Sequence, residues 1–243
     1  MKGLLASPVQ FSCLRGTHQE AHSHMTGVLI CLEEMASENY NLLAEILPSC
    51  QDDFLRLSII RQDRGHSIEY CAKRILTEPN IKLSERLLLP LRNFFKDAYM
   101  KRDLSRCLII QHLMTECFML STYLLYLPLL DEYTTFIVRK ALSDEIDEPL
   151  YSQNQLKRHL KEVAKDIETS MKLALHEIIL VTKALNSNMD LTGIDTYKLS
   201  MEIFISSKEF LEEIGFSSIE ARKIVRSIWQ KEMVVYWKTK RYD

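Results

Sequence analysis

Three observations predict that this chain is an all-α protein, a bundle of helices in one domain. The 243 residues include only six glycines and six prolines, and so few turn residues favour long helices over many short strands. Apolar residues recur at helical spacing along most of the chain. Hydrophobic residues make up 47% and charged residues 26%, as in ordinary globular domains.

Each helix is predicted from this spacing and from the residue that ends it. Pro48 ends the first helix, Pro149 the fifth, and Pro90 predicts a kink in the third. The polar run from Asn186 ends the sixth, and Gly215 stands at the C-cap of the seventh. The predicted helices are Met25–Ile46, Asp52–Leu76, Leu83–Lys101, Ser105–Leu127, Asp131–Glu148, Gln153–Leu185, Thr196–Ile214 and Ser218–Trp229.

The remaining segments and the composition limit the domain organisation and the classes of partner that the chain can have. Residues 1–24 are expected to form a loose N-terminal arm, residues 25–230 the helical domain and residues 231–243 a frayed basic tail. The net charge of -2 indicates no nucleic-acid partner. The six irregularly spaced cysteines are expected to be reduced, which favours a cytoplasmic location. The most apolar region, Cys117 to Leu130, is too short to span a bilayer, so no transmembrane segment is expected.

The fourth predicted helix contains the strongest single candidate for a site residue. This helix is apolar on nearly every face, which is typical of a central helix that others surround. Glu116 lies inside it, and a carboxylate there is costly unless it is paired, protonated or bound to metal. Glu33, Glu145 and Glu148 stand among other acidic residues, where a solvated helix face is the ordinary explanation.

Longer stretches of sequence resemble a known family. They are SENYNLLAEILP from Ser37, CLIIQHLMTECF from Cys107, YLLYLP from Tyr123, SDE from Ser143 and LEEIGFSSIEA from Leu211. Through them the chain resembles the cyanobacterial aldehyde-deformylating oxygenases, which are ferritin-like di-iron proteins. The resemblance implies a ferritin-like helical bundle with additional C-terminal helices. It also implies two irons, a long-chain aldehyde substrate and a ferredoxin-like electron donor.

The resemblance further implies where metal ligands would stand. The family holds its irons with two lone glutamates and two Glu-x-x-His pairs, because residues three apart share a helix face. Arg61 and Arg64 occupy both positions of the first pair in this chain. The other four positions carry carboxylates, with Glu148 in place of a histidine: Glu33, Glu116, Glu145 and Glu148.

Two interpretations of the arginines remain open. Because a guanidinium stays protonated, it cannot serve as an ordinary metal ligand, and the cluster could be a metal-free network of ion pairs. Alternatively, Asp63 and His66, two residues further on, could reach the carboxylates if the second helix were distorted. On an ideal helix two residues correspond to about 200° of rotation, so without distortion they face away. The carboxylates alone could hold one hard cation, such as Mg²⁺ or Mn²⁺.

The resemblance implies an apolar channel for the aliphatic substrate. Most such side chains are simply core, and that interpretation applies here equally. An arginine at the channel end would suit an anionic head group. The candidate channel residues are Tyr40, Ile68, Leu87, Leu88, Tyr123 and Tyr126, with Gln111 as a polar neighbour.

Two functions of different classes therefore stand side by side. The first is an oxidoreductase that acts on a long-chain aldehyde or acyl compound at a rearranged iron or manganese centre. The second is a metal-free relative that binds a fatty ligand or a protein partner, with Arg61 and Arg64 replacing the metal charge. The fold alone does not decide between them.

Overall fold

The computed structural model describes residues 17–74, 77–130, 132–143 and 148–240, and within these ranges it contains helices and no strand. The predicted all-α class is confirmed. The helices are α1 Thr17–Ile46, α2 Gln51–Arg74, α3 Ile81–Met100, α4 Leu104–His112, α5 Ser121–Tyr126, α6 Glu132–Ser143, α7 Glu148–Thr192, α8 Thr196–Ile214 and α9 Ser218–Lys240.

The bundle is built around α1. This helix contacts α2, α3, α4 and α7, while α2 also contacts α6. The helices α8 and α9 pack against α7 and against each other, so they form the additional C-terminal layer that was predicted. Side chains such as Leu32, Phe54, Phe95 and Phe118 are completely buried between these elements and form one continuous core.

A π-helical segment, Leu113–Leu120, joins α4 to α5. The resulting rod matches the predicted fourth helix. Leu104–Leu129 is the stretch of the described chain that is long and apolar enough to cross a membrane, with a mean hydropathy of 1.3. Because 82% of its most apolar window is buried inside the bundle, it is placed here as a core helix.

The π segment contains Glu116, and π turns occur frequently at functional sites.

Several predicted boundaries are wrong. The first helix begins at Thr17 and not at Met25, because Ala21 and His22 pack into the bundle and stabilise the preceding turns. The sixth predicted helix does not end at Asn186: α7 continues to Thr192, and the Asn186 amide donates to the Asp190 carboxylate one turn later. The last helix continues to Lys240, through most of the expected frayed tail.

Prolines and caps account for other boundaries. Pro149 lies in the first turn of α7, where its missing N–H group is tolerated, and does not end a helix. Pro90 lies inside α3, which continues through it. The predicted C-cap at Gly215 is confirmed, with φ 115°, a left-handed conformation that glycine adopts without a steric cost. At the N-terminus of α3, the side chain of Asn80 caps the helix by accepting a hydrogen bond from the Leu83 N–H group.

Gly27 marks the point where α1 crosses the start of α3. A Cβ atom at this position would lie 2.7 Å from Ser84 Oγ and 2.9 Å from the Asn80 carbonyl carbon and oxygen. Gly27→Ala should therefore force the two backbones apart and lower the free energy of unfolding by about 1–3 kcal/mol. Thermal and urea unfolding would measure this loss of stability.

Gly65 offers a matched control for this substitution. A Cβ atom there would meet Glu33 Cβ at 3.5 Å, an ordinary contact. Since alanine is a better helix former than glycine, Gly65→Ala should be neutral or stabilise by up to about 1 kcal/mol. Equal losses at both positions would show that the close helix crossing is not what makes Gly27→Ala costly.

Candidate functional site

Glu33 lies at the centre of the site, on the face of α1 that packs against α2. Its side chain is 0% exposed. Arg61 Nη1 donates to Glu33 Oε2 at 3.2 Å, and the Tyr123 hydroxyl donates to Glu33 Oε1 at 2.7 Å. Both carboxylate oxygens therefore have a hydrogen-bond donor, as a buried charge requires.

Arg61 and Arg64 approach Glu33 from α2. Three residues apart, they share one face of the helix, and each is only 1% exposed. Arg64 Nη1 lies 3.6 Å from Glu33 Oε1, so both guanidiniums form ion pairs with the same carboxylate. Gly65, beside Arg64, faces Glu33, since a Cβ atom there would lie 3.5 Å from Glu33 Cβ. We call Glu33, Arg61, Arg64 and Tyr123 the arginine cluster.

Tyr123 connects the arginine cluster to a cavity. Burial and then the Glu33 carboxylate raise the pKa of Tyr123 well above its ordinary value, so the phenol keeps its proton at neutral pH. Its side chain also borders an apolar cavity of about 20 Å³ between α1, α2, α5 and α6. The cavity is lined by Thr26, Leu29, Ile68, Cys71, Ala72, Tyr123, Tyr126, Leu127, Leu130 and Thr134.

The predicted channel residues divide into two groups. Ile68, Tyr123 and Tyr126 line this cavity. The others do not: Tyr40 stacks on Phe54 with ring centres 6.0 Å apart, and Gln111 accepts a hydrogen bond from the Asn39 amide at 2.9 Å. Leu88 is buried in the core and Leu87 is half-buried.

His22 is a site residue that the sequence analysis missed, because it was assigned to the loose arm. Its Nδ1 lies 2.6 Å from the Tyr126 hydroxyl, and this hydrogen bond ties the first turns of α1 to α5. Burial and then the nearby His18 lower the pKa of His22, which favours the neutral imidazole. No local signal in the sequence identifies this contact, since the partners are 104 residues apart.

The remaining predicted ligands are placed as follows. Asp63 and His66 are exposed, on the side of α2 away from Glu33, and α2 is a regular α-helix through this region. The distortion that would turn them inward is therefore not observed. Glu145 lies outside the described residues. Glu116 and Glu148 lie on described helices, but their side chains do not belong to the described part.

Comparison with known proteins identifies the family. The model of the family described as long-chain fatty aldehyde decarbonylase matches residues 15–229. The chain belongs to the long-chain fatty aldehyde decarbonylase family. A solved structure of a Synechococcus protein, described as protein 19 with aldehyde deformylating oxidase activity, superimposes with a TM-score of 0.86 at 28% identity. The match covers 89% of this chain and 99% of that one, and it confirms the resemblance and the ferritin-like fold.

The arginine cluster does not fit the di-iron site that this fold family implies. A guanidinium has no lone pair to offer and remains protonated, so Arg61 and Arg64 cannot replace a Glu-x-x-His pair. The Glu33 oxygens already accept hydrogen bonds from Arg61 and Tyr123. Over the described residues, no group of three or more His, Cys, Asp and Glu is arranged to hold a metal ion.

Proposed function

We propose that this member of the long-chain fatty aldehyde decarbonylase family works without metal and binds a long-chain aliphatic molecule without oxidising it. The observation that supports the proposal is the pair of buried guanidiniums ion-paired with Glu33. The arginines would supply the positive charge that metal ions supply elsewhere in such bundles.

Electrostatics favours this proposal over a metal centre. A cation that reached Glu33 would compete with Arg61 and Tyr123 for its oxygens and would lie beside two positively charged guanidiniums. Two like unit charges about 4 Å apart repel by about 4 kcal/mol at an effective dielectric constant of about 20. A divalent ion doubles that repulsion, so the first step of metal binding is strongly opposed.

The family and the cavity support an aliphatic ligand. The family is described by its action on long-chain fatty aldehydes. Apolar side chains dominate the lining beside Tyr123, as small-molecule sites require. The cavity of about 20 Å³ admits one water-sized group, so a long chain would enter only as side chains move aside.

A divergent oxidoreductase with a rearranged iron or manganese centre is the alternative, and the family match supports it. That function would use Glu33, Glu116, Glu145 and Glu148, with a ferredoxin-like electron donor. Asp63 and His66 could add ligands to that centre only if they turned inward, whereas both are exposed on a regular helix. The position of these two side chains is our reason for ranking it second.

Metal content separates the two functions. We expect protein purified after growth with added iron and manganese to contain neither metal in stoichiometric amount, and a chelator to leave its Tm unchanged. Elemental analysis and thermal unfolding measure this, and mass spectrometry of an organic extract would identify a bound aliphatic molecule. Two metals per chain would overturn the metal-free proposal and favour the oxidoreductase, and one would overturn it in favour of a single hard cation held by carboxylates.

We also propose a cytoplasmic location. Cys31, Cys50, Cys71, Cys107 and Cys117 are all free cysteines, as in proteins of reducing compartments. Burial is the first cause that raises the pKa of the Cys31 and Cys107 thiols, to about 12 in each case. Because the thiolate is the reactive form, these two thiols are expected to be inert, with a structural role.

A further inference from the structure

Exposed aromatic side chains lie on the outer faces of α2 and α6. Tyr133 and Phe136 of α6 are 45% and 65% exposed, and they share one face of the helix because they are three residues apart. Tyr70 of α2 is 57% exposed. Arg74 shares a helix face with Tyr70, and its guanidinium carbon lies 3.7 Å from the centre of the Tyr133 ring, a cation–π contact between the two helices. The four side chains therefore form one continuous exposed surface.

This surface is positively charged. Arg139 and Lys140 are exposed, and they follow Phe136 by three and four residues, so they lie on the same side of α6. The charged residues of α6 and of the last two turns of α2 sum to a net charge of +2, against -2 for the whole chain. They are Lys73, Arg74, Arg139 and Lys140, with Glu69 and Glu132. We call Tyr70, Arg74, Tyr133, Phe136, Arg139 and Lys140 the aromatic–basic surface.

The same two helices enclose the apolar cavity. Thr134 of α6 lines it from one side, and Ile68 and Cys71 of α2 line it from the other. Among the described elements, α6 packs mainly against α2 and against the turn Leu127–Leu129. A helix with few neighbours moves at a lower free-energy cost than a core helix. Movement of α6 away from α2 would therefore open the cavity beside the aromatic–basic surface.

We propose that the aromatic–basic surface docks on an anionic lipid bilayer, from which the aliphatic ligand enters the cavity between α2 and α6. Aromatic rings settle at the boundary between a bilayer and water, and lysine and arginine beside them attract anionic headgroups. Long-chain aliphatic molecules collect in bilayers, because each CH₂ group favours transfer out of water. This inference rests on the proposed function, because an aliphatic ligand is the reason for the contact.

Vesicle binding tests the docking directly. The full chain would be sedimented with vesicles of phosphatidylcholine alone, or of phosphatidylcholine and phosphatidylglycerol in equal amounts. We expect binding to the anionic vesicles to be at least about tenfold tighter, and to weaken as salt screens the charges. Equal binding to both kinds of vesicle would overturn the role of the charges. Binding to neither would overturn the inference and leave a soluble partner as the occupant of the surface.

The aromatic side chains are tested by Tyr133→Ser with Phe136→Ser. This double variant should bind anionic vesicles at least about tenfold more weakly, because it removes the groups that enter the bilayer. Ile219→Ser is the matched control, since Ile219 is 82% exposed on α9, which packs against α7 and α8. It should leave vesicle binding unchanged. An unchanged affinity in the double variant would overturn the assignment of the surface.

The basic side chains are tested by Arg139→Gln with Lys140→Gln. We expect at least about a tenfold loss of binding to anionic vesicles. Lys82→Gln with Arg86→Gln removes the same charge from exposed positions on α3, which packs against α1, α4 and α7. This control pair should bind within about twofold of the unaltered protein. Equal losses in both pairs would show that the charge of the whole chain sets the binding, and the inference would be wrong.

The outcomes for this surface and for the proposed function are distinguishable. If the vesicles bind as expected but an organic extract of the protein contains no aliphatic molecule, the proposed function fails and the docking stands. If the extract contains such a molecule and neither vesicle binds, only the docking fails. Sedimentation velocity without vesicles tests a second copy as the occupant. A dimer that Tyr133→Ser with Phe136→Ser dissociates would show that the surface joins two chains and would overturn the inference.

Discussion

Arg61→Ala is expected to lower the free energy of unfolding by about 3–5 kcal/mol, because it removes the guanidinium that donates a hydrogen bond to the buried Glu33 carboxylate and leaves the longer Arg64 ion pair to balance the charge. Glu33 is 0% exposed, and Arg61 donates to it at 3.2 Å. Arg64 Nη1 lies 3.6 Å from the other oxygen, Oε1, whereas Arg61 is the donor at Oε2. For a chain of this length the loss corresponds to a fall in Tm of roughly 6–20 °C, which calorimetry would measure.

An exposed ion pair of the same type provides the control. Arg92 Nε lies 3.7 Å from Glu38 Oε2, and these side chains are 26% and 50% exposed. Such pairs contribute about 0–1 kcal/mol, so Arg92→Ala should change stability little. If Arg61→Ala lowers the free energy of unfolding no more than Arg92→Ala does, the buried Glu33 carboxylate is not stabilised by Arg61. Another cation would then balance its charge.

A second substitution identifies the partner. Combining Arg61→Ala with Glu33→Gln removes both charges, and the double variant should be more stable than the sum of the two single losses predicts. Additive losses would mean that the two side chains do not act as a pair. Because the readout is stability alone, the test requires neither a known ligand nor a known activity.

The sequence predicts the long elements of this fold better than their ends. The rod from Leu104 to Tyr126 follows from its apolar composition, since only a surrounded helix can be apolar on every face. The start of α1 does not follow, because His22 is held by Tyr126, far away in the chain. The π segment Leu113–Leu120 was also missed, because an extra residue in a helical turn is a matter of backbone hydrogen bonds and no residue type marks it.

The candidate site was likewise predictable from the sequence only in part. Helix geometry places Arg61 and Arg64 on one face, but composition alone would place that face in solvent, since arginine is almost never fully buried unless it is paired. Only the family resemblance predicted that this face meets Glu33. The cavity is harder to predict, because Tyr40 and Tyr123 are equally buried and differ only in which neighbours leave a gap.

Acid is expected to destabilise this protein through His112. The ring stacks on Phe210 with centres 3.9 Å apart, and the side chain is only 5% exposed. Burial lowers the pKa of His112 from 6.5 to about 3. Between these two values the unfolded chain binds a proton that the folded protein does not, so stability falls as pH falls through this window. The loss is about 1.4 kcal/mol per pH unit, or about 2 kcal/mol between pH 6.5 and pH 5.

His112→Leu removes the titrating group while keeping an apolar side chain against Phe210. Between pH 6.5 and pH 5 the unaltered protein should lose about 2 kcal/mol of unfolding free energy that the variant keeps. Urea unfolding of both proteins at the two pH values would measure this difference. Leu113→Ala is the control, since Leu113 is fully buried and cannot titrate, so its loss should be the same at every pH. A constant difference for His112→Leu would mean that the folded protein accepts the proton, which requires an acceptor close to the ring.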